Sequence, residues 1–134
     1  MKMIPWSKPI PFEQQEIQHN VPQTPGVYRI IQTYQYSRFR GSTPILKIGS
    51  SRTDLRQEIL NHFQRHTAAN RLARIRGQQD VTVQVQYAES TASDAIDLER
   101  TELKIFEDAH WELPVLNSQR GYARGEDSHY RAPP

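Results

Sequence analysis

Pro25-Gly26-Val27-Tyr28-Arg29-Ile30-Ile31 and Ile45-Leu46-Lys47-Ile48-Gly49 are two short runs rich in β-branched and aromatic residues, each with a glycine at one end. Such residues fit a pleated, half-buried surface, so the runs predict strands over 27–31 and 45–48. Between them, residues 32–43 hold three aromatics and two arginines and end in Gly41-Ser42-Thr43, which predicts an enlarged hairpin connection. Immediately upstream, Pro22-Gln23-Thr24-Pro25-Gly26 reads as a turn. Residues 1–20, rich in Pro and Gln, read as an N-terminal arm laid on the surface or left mobile.

Downstream the apolar period changes. Ser51 followed by Asp54 makes a helix start, and Leu55, Ile59, Leu60 and Phe63 recur at helical spacing, predicting a helix over 54–65. A second helix is predicted over 68–76, with Leu72 and Ile75 inward, ended by Gly77. Residues 81–87 alternate strictly, the clearest strand in the chain, and Thr91 with Asp94 opens a long helix over 92–109. Leu113-Pro114-Val115-Leu116-Asn117 breaks that helix. The predicted class is therefore α+β: a small, mainly antiparallel three-stranded sheet flanked by helices, in the order strand, strand, helix, helix, strand, helix. It occupies residues 21–118, followed by an irregular tail over 119–134.

Composition narrows the function classes. The 134 residues suit one domain, and the absence of cysteine excludes disulfides, thiolate metal sites and cysteine nucleophiles. That fits a reducing, cytoplasmic setting, and no stretch of apolar residues is long enough to span a membrane. Net charge is only +2, but its distribution is uneven. Between residues 52 and 76 six arginines face only Asp54 and Glu58; between 89 and 112 eight acids face only Arg100 and Lys104. Thirteen of the seventeen basic residues are arginine, whose planar fork suits phosphate. A basic stretch beside an acidic one is what a metal-dependent nuclease requires; two solvated helices of opposite charge would read the same way.

These residues, in this order, carry a resemblance. Pro25-Gly26-Val27-Tyr28 resembles the first half of the GIY-YIG motif, with Val for Ile. Lys47-Ile48-Gly49-Ser50-Ser51 resembles the second half, with Lys in place of Tyr. Ala95, Glu99 and Leu103, followed by Pro114-Val115-Leu116-Asn117, resemble the closing helix of GIY-YIG nucleases, which carries one metal-binding glutamate and ends in a Pro-x-x-Asn-like segment. The resemblance covers about residues 21–118. It implies a metal-dependent endonuclease that hydrolyses DNA phosphodiester bonds, with Mg²⁺ or Mn²⁺ as cofactor and nucleic acid, most naturally DNA, as partner.

Phosphodiester cleavage needs an activated water, neutralised transition-state charge and a stabilised leaving oxygen. The resemblance assigns Glu99 as the metal ligand, and a hard ion that keeps several waters suits a single carboxylate. Without it, Glu99 reads as an exposed helix acid. Tyr28 would position or deprotonate the water, although a free phenol is a poor base at neutral pH. Lys47 stands where the second tyrosine would be, as a base or a phosphate ligand, and His62 keeps the place of the family's His or Tyr. Gly26, Gly49 and Asn117 read as structural.

One departure is serious. Where the family places a phosphate-binding arginine on the first helix, this chain has Glu58. Arg56 is two positions earlier, about 200° around the helix, so it substitutes only with a shift of register; Arg52 in the preceding loop and Arg65, two turns beyond Glu58 on the same face, are the other candidates for the phosphate. Arg71, Arg74 and Arg76 would add backbone contacts if nucleic acid crosses the second helix. The second reading is therefore a catalytically degenerate module of the same build, binding nucleic acid or a partner without cutting. The aromatics Tyr34, Tyr36 and Phe39 of the hairpin could stack on bases or simply pack.

Overall fold

In the computed structural model, which describes residues 3–64 and 68–117, the chain is α+β. Its elements are β1 (Ile10–Pro11), α1 (Gln14–Asn20), β2 (Gly26–Ser37), β3 (Ser42–Ser51), α2 (Leu55–Leu60), a 3₁₀ turn (Asn61–Phe63), α3 (Ala69–Arg76), β4 (Val83–Glu89) and α4 (Ala92–His110). One antiparallel sheet runs in the order β1-β4-β2-β3, so β2 is central and β3 is an edge.

The sheet has four strands rather than the three predicted, because the N-terminal segment joins it. Ile10 and Pro11 pair with Val85 and Gln84. Phe12, Ile17 and Val21 then enter the main core, and Phe12 stacks on Phe63 at 4.5 Å between centroids. Residues 10–20 are thus part of the domain; three apolar side chains among the prolines and glutamines outweigh the arm-like composition.

The hairpin also differs from expectation. β2 and β3 continue to Ser37 and Ser42, leaving a turn of Arg38–Gly41 in which Gly41 takes φ +72°. Register shifts between Ile30 and Tyr36 absorb the surplus residues, first at Leu46 of β3 and then within β2. The first helix is shorter than predicted, ending at Leu60 and tightening into the 3₁₀ turn at Asn61. Arg65 and the tail after Asn117 lie outside the described residues.

Each face of the sheet has its own cover. Tyr28, Ile30, Val83 and Val85 pack with Ile17, Leu55, Ile59 and Leu72, which places α1, α2 and α3 on one side. Ile48 packs with Leu103 and Phe106 of α4 on the other. Beyond α4, residues 114–117 run beside edge strand β3: Leu116 N–H donates to the Leu46 carbonyl at 3.0 Å. Asn117 accepts from Ile48 N–H and donates to the Ile48 carbonyl, both at 2.8 Å. An exposed strand edge is an aggregation hazard, and this segment covers it. No described helix is long and apolar enough to cross a membrane.

Candidate functional site

The residues that carry the resemblance converge on the root of the β2–β3 hairpin. Tyr28 pairs with Gly49, and Ile30 with Lys47. Paired residues of antiparallel strands share a face, so Tyr28, Lys47 and Gly49 point to the side covered by α2. The glycine is required by contact: a Cβ at position 49 would lie 2.5 Å from the Tyr28 ring. The phenol lies across the vacancy that glycine leaves.

α2 brings the partners of that phenol. Asp54 Oδ1 accepts from Gln57 N–H at 3.0 Å and starts the helix. Glu58 and His62, four residues apart, therefore lie on one side. The Tyr28 hydroxyl donates to Glu58 Oε2 at 3.1 Å and sits 3.3 Å from His62 Nε2. His62 Nδ1 is 3.2 Å from the Glu58 carbonyl. A carbonyl only accepts, so Nδ1 carries a proton. Tyr28 has one proton to give, and Glu58 accepts it.

The electrostatics agree. Burial pushes the Tyr28 phenol well above its ordinary pKa, and Glu58 and then Glu99 push it further. Burial also raises the Glu58 carboxyl, opposed by the Tyr28 hydrogen bond and the Lys47 charge and reinforced by Glu99. Tyr28 and His62 are almost wholly enclosed, and Lys47 is 7% exposed. A phenol held protonated in a closed site cannot take a proton from water near neutral pH.

Glu99 approaches from the opposite face. Thr91 caps α4, its hydroxyl accepting from Asp94 N–H, and buried Ala95 lets the helix sit close one turn before Glu99. Glu99 accepts a hydrogen bond from the Ser50 hydroxyl. Ser50 is adjacent to Gly49, so the phenol and the second carboxylate meet the edge strand at neighbouring residues from opposite sides. They share a field, since Glu99 acts on both Tyr28 and Glu58.

Among the described residues the arginines do not gather there, and the charges acting on Glu58 are those of Lys47 and Glu99. Arg56 donates from Nε to the Val21 carbonyl at 2.8 Å, tying α2 to the end of α1. Arg52, Arg74 and Arg76 are exposed and Arg71 is half-buried; Arg76 also lies over the rings of Phe63 and Phe12, at 4.9 and 5.4 Å. For a divalent cation the donors at the root are Glu58 and Glu99. Among the described residues no group of three or more His, Asp or Glu side chains is placed to hold a metal ion. This set fits only a thinly held hard ion that keeps most of its waters.

Two contacts were not legible beforehand. Ser50 as the partner of Glu99 carried no signal beyond its place in the second half-motif. Glu58 read as a missing arginine, whereas its carboxylate bonds Tyr28; the i, i+4 spacing to His62 was the available clue. The chain matches no family model, no curated protein and no solved structure.

Proposed function

We propose that this chain is a nucleic-acid-binding domain of GIY-YIG-like build whose hydrolytic constellation is closed. The observation that carries this reading is the Tyr28–Glu58 hydrogen bond at 3.1 Å. A carboxylate stands where the resemblance calls for an arginine, and it engages the hydroxyl that would otherwise face the water. Without a cation, two partly buried carboxylates at the site repel a phosphodiester. Binding falls instead to the exposed arginines Arg52, Arg74 and Arg76, whose contacts to the phosphate backbone would be independent of sequence.

The test is equilibrium binding of a fluorescent DNA duplex over a salt series. Binding at low salt that weakens steadily as salt rises, and weakens further in Arg52→Ala/Arg74→Ala, is expected. A chain that binds neither duplex nor single-stranded DNA at low salt overturns the proposal.

The second reading, a metal-dependent endonuclease, is favoured by one observation: the Glu99 charge disfavours the ionised form of Glu58, and a cation would relieve that repulsion. An ion held there by Glu99 and Glu58 would supply charge neutralisation and an acidified water. Tyr28 and His62 would then orient water rather than deprotonate it, and Lys47 would balance the site's charge. Nicking of supercoiled plasmid that needs Mg²⁺ or Mn²⁺ and disappears in Glu99→Ala would establish it.

A further inference from the structure

The far end of the same hairpin carries a feature that the root does not use. Phe39 in the β2–β3 turn and Trp111 just after α4 are 64% and 61% exposed, yet their rings meet edge-to-face at 6.2 Å. The Arg40 guanidinium lies 5.5 Å from the Trp111 ring centre. Trp111 ends the helix with φ +65°, a left-handed conformation that helix ends normally give to glycine or asparagine. A bulky side chain held there and left in solvent brings the fold strain without burial.

The charges around the rings are mostly paired. Arg38 bridges to Glu112 at 3.3 Å and donates to the Leu113 carbonyl at 2.9 Å, and Glu112 also accepts from Phe39 N–H. Lys104 bridges to Asp108 at 3.4 Å. His110 Nδ1 faces the Arg40 carbonyl at 2.9 Å, fixing the turn against α4. Arg40 lies beside the aromatic pair, its guanidinium on the indole.

We infer that Phe39, Trp111 and Arg40 form a stacking platform for an unpaired base of single-stranded nucleic acid. Base faces stack on aromatic rings whatever their identity, and an arginine over the ring adds a cation for the adjoining phosphate. The inference rests on the nucleic-acid reading above and adds to it a preference for unpaired strands.

The test is fluorescence anisotropy with a labelled oligo-dT and, separately, a labelled duplex, using the full chain. Trp111→Gly removes the ring while giving the left-handed position the residue it favours, so folding is preserved. The expected result is tighter binding to oligo-dT than wild-type binding to duplex, with Trp111→Gly and Phe39→Ala each about tenfold or more weaker on oligo-dT. Equal oligo-dT affinity in wild type, Trp111→Gly and Phe39→Ala overturns the platform. Duplex binding without oligo-dT binding overturns the platform alone, and failure to bind either overturns the functional reading as well.

Discussion

The β2–β3 hairpin has two ends built in opposite ways. At its root, Gly26, Tyr28, Lys47 and Gly49 are buried, and the phenol is bonded between Glu58 and His62. At its tip, Phe39 and Trp111 are mostly exposed, and the turn depends on Gly41 with φ +72°. The root places polar groups where water is excluded, so each needs a partner to hold its cost down. The tip leaves apolar rings in water, a cost that folding does not recover. A buried polar network argues for fixed geometry, whereas an exposed aromatic pair argues for a visitor.

Gly26→Ala should produce the largest effect on this contrast. A Cβ there would lie 2.3 Å from the Ala88 carbonyl oxygen and 2.5 Å from Leu55 Cδ1, contacts that require backbone movement. A loss of about 3 kcal/mol or more in denaturant unfolding is expected. A near-neutral result would mean that the root is not tightly packed. Asn117→Ala should come next. It removes both hydrogen bonds to the Ile48 backbone and leaves that edge of β3 unsatisfied, a loss of about 2 kcal/mol. Wild-type stability in this variant would show that water replaces the asparagine freely.

Glu58→Gln should act through pH. The folded-state pKa of Glu58 is raised, so the native chain holds that proton more tightly than the unfolded chain does. The contribution is fully present below the ordinary glutamate pKa, about 4.3, and is lost as pH rises through the raised value. The wild type should therefore lose stability relative to Glu58→Gln across that window. Parallel stability curves for the two proteins would show that burial does not perturb Glu58. The smallest effect belongs to the tip. Trp111→Gly trades ring contacts for a relaxed backbone and should leave thermal stability within about 1 kcal/mol of wild type. A large loss would place Trp111 in the fold's support and remove the reason to assign it a ligand.

Much of the sheet was legible because period-2 alternation in residues 81–87 and the β-branched runs flanking the hairpin are local signals. The α4 cap at Thr91 was legible for the same reason: its hydroxyl reaches a backbone N–H only three residues on. The fourth strand was not, since Ile10 and Pro11 become a strand only by pairing with β4, seventy-odd residues away. The hairpin's true length escaped because a bulge hides the alternation between Ile31 and Tyr36. At the site, Tyr28 with His62 was expected and their closeness is observed. That Glu58 would bond Tyr28 depended on how α2 sits on the sheet, which no local pattern encodes.

The most direct test of the closed site is incubation of the purified chain with supercoiled plasmid in Mg²⁺ and in Mn²⁺, alongside Glu99→Ala. The account predicts retarded plasmid that stays supercoiled in every lane. Metal-dependent relaxation by the wild type, absent from Glu99→Ala, would contradict it.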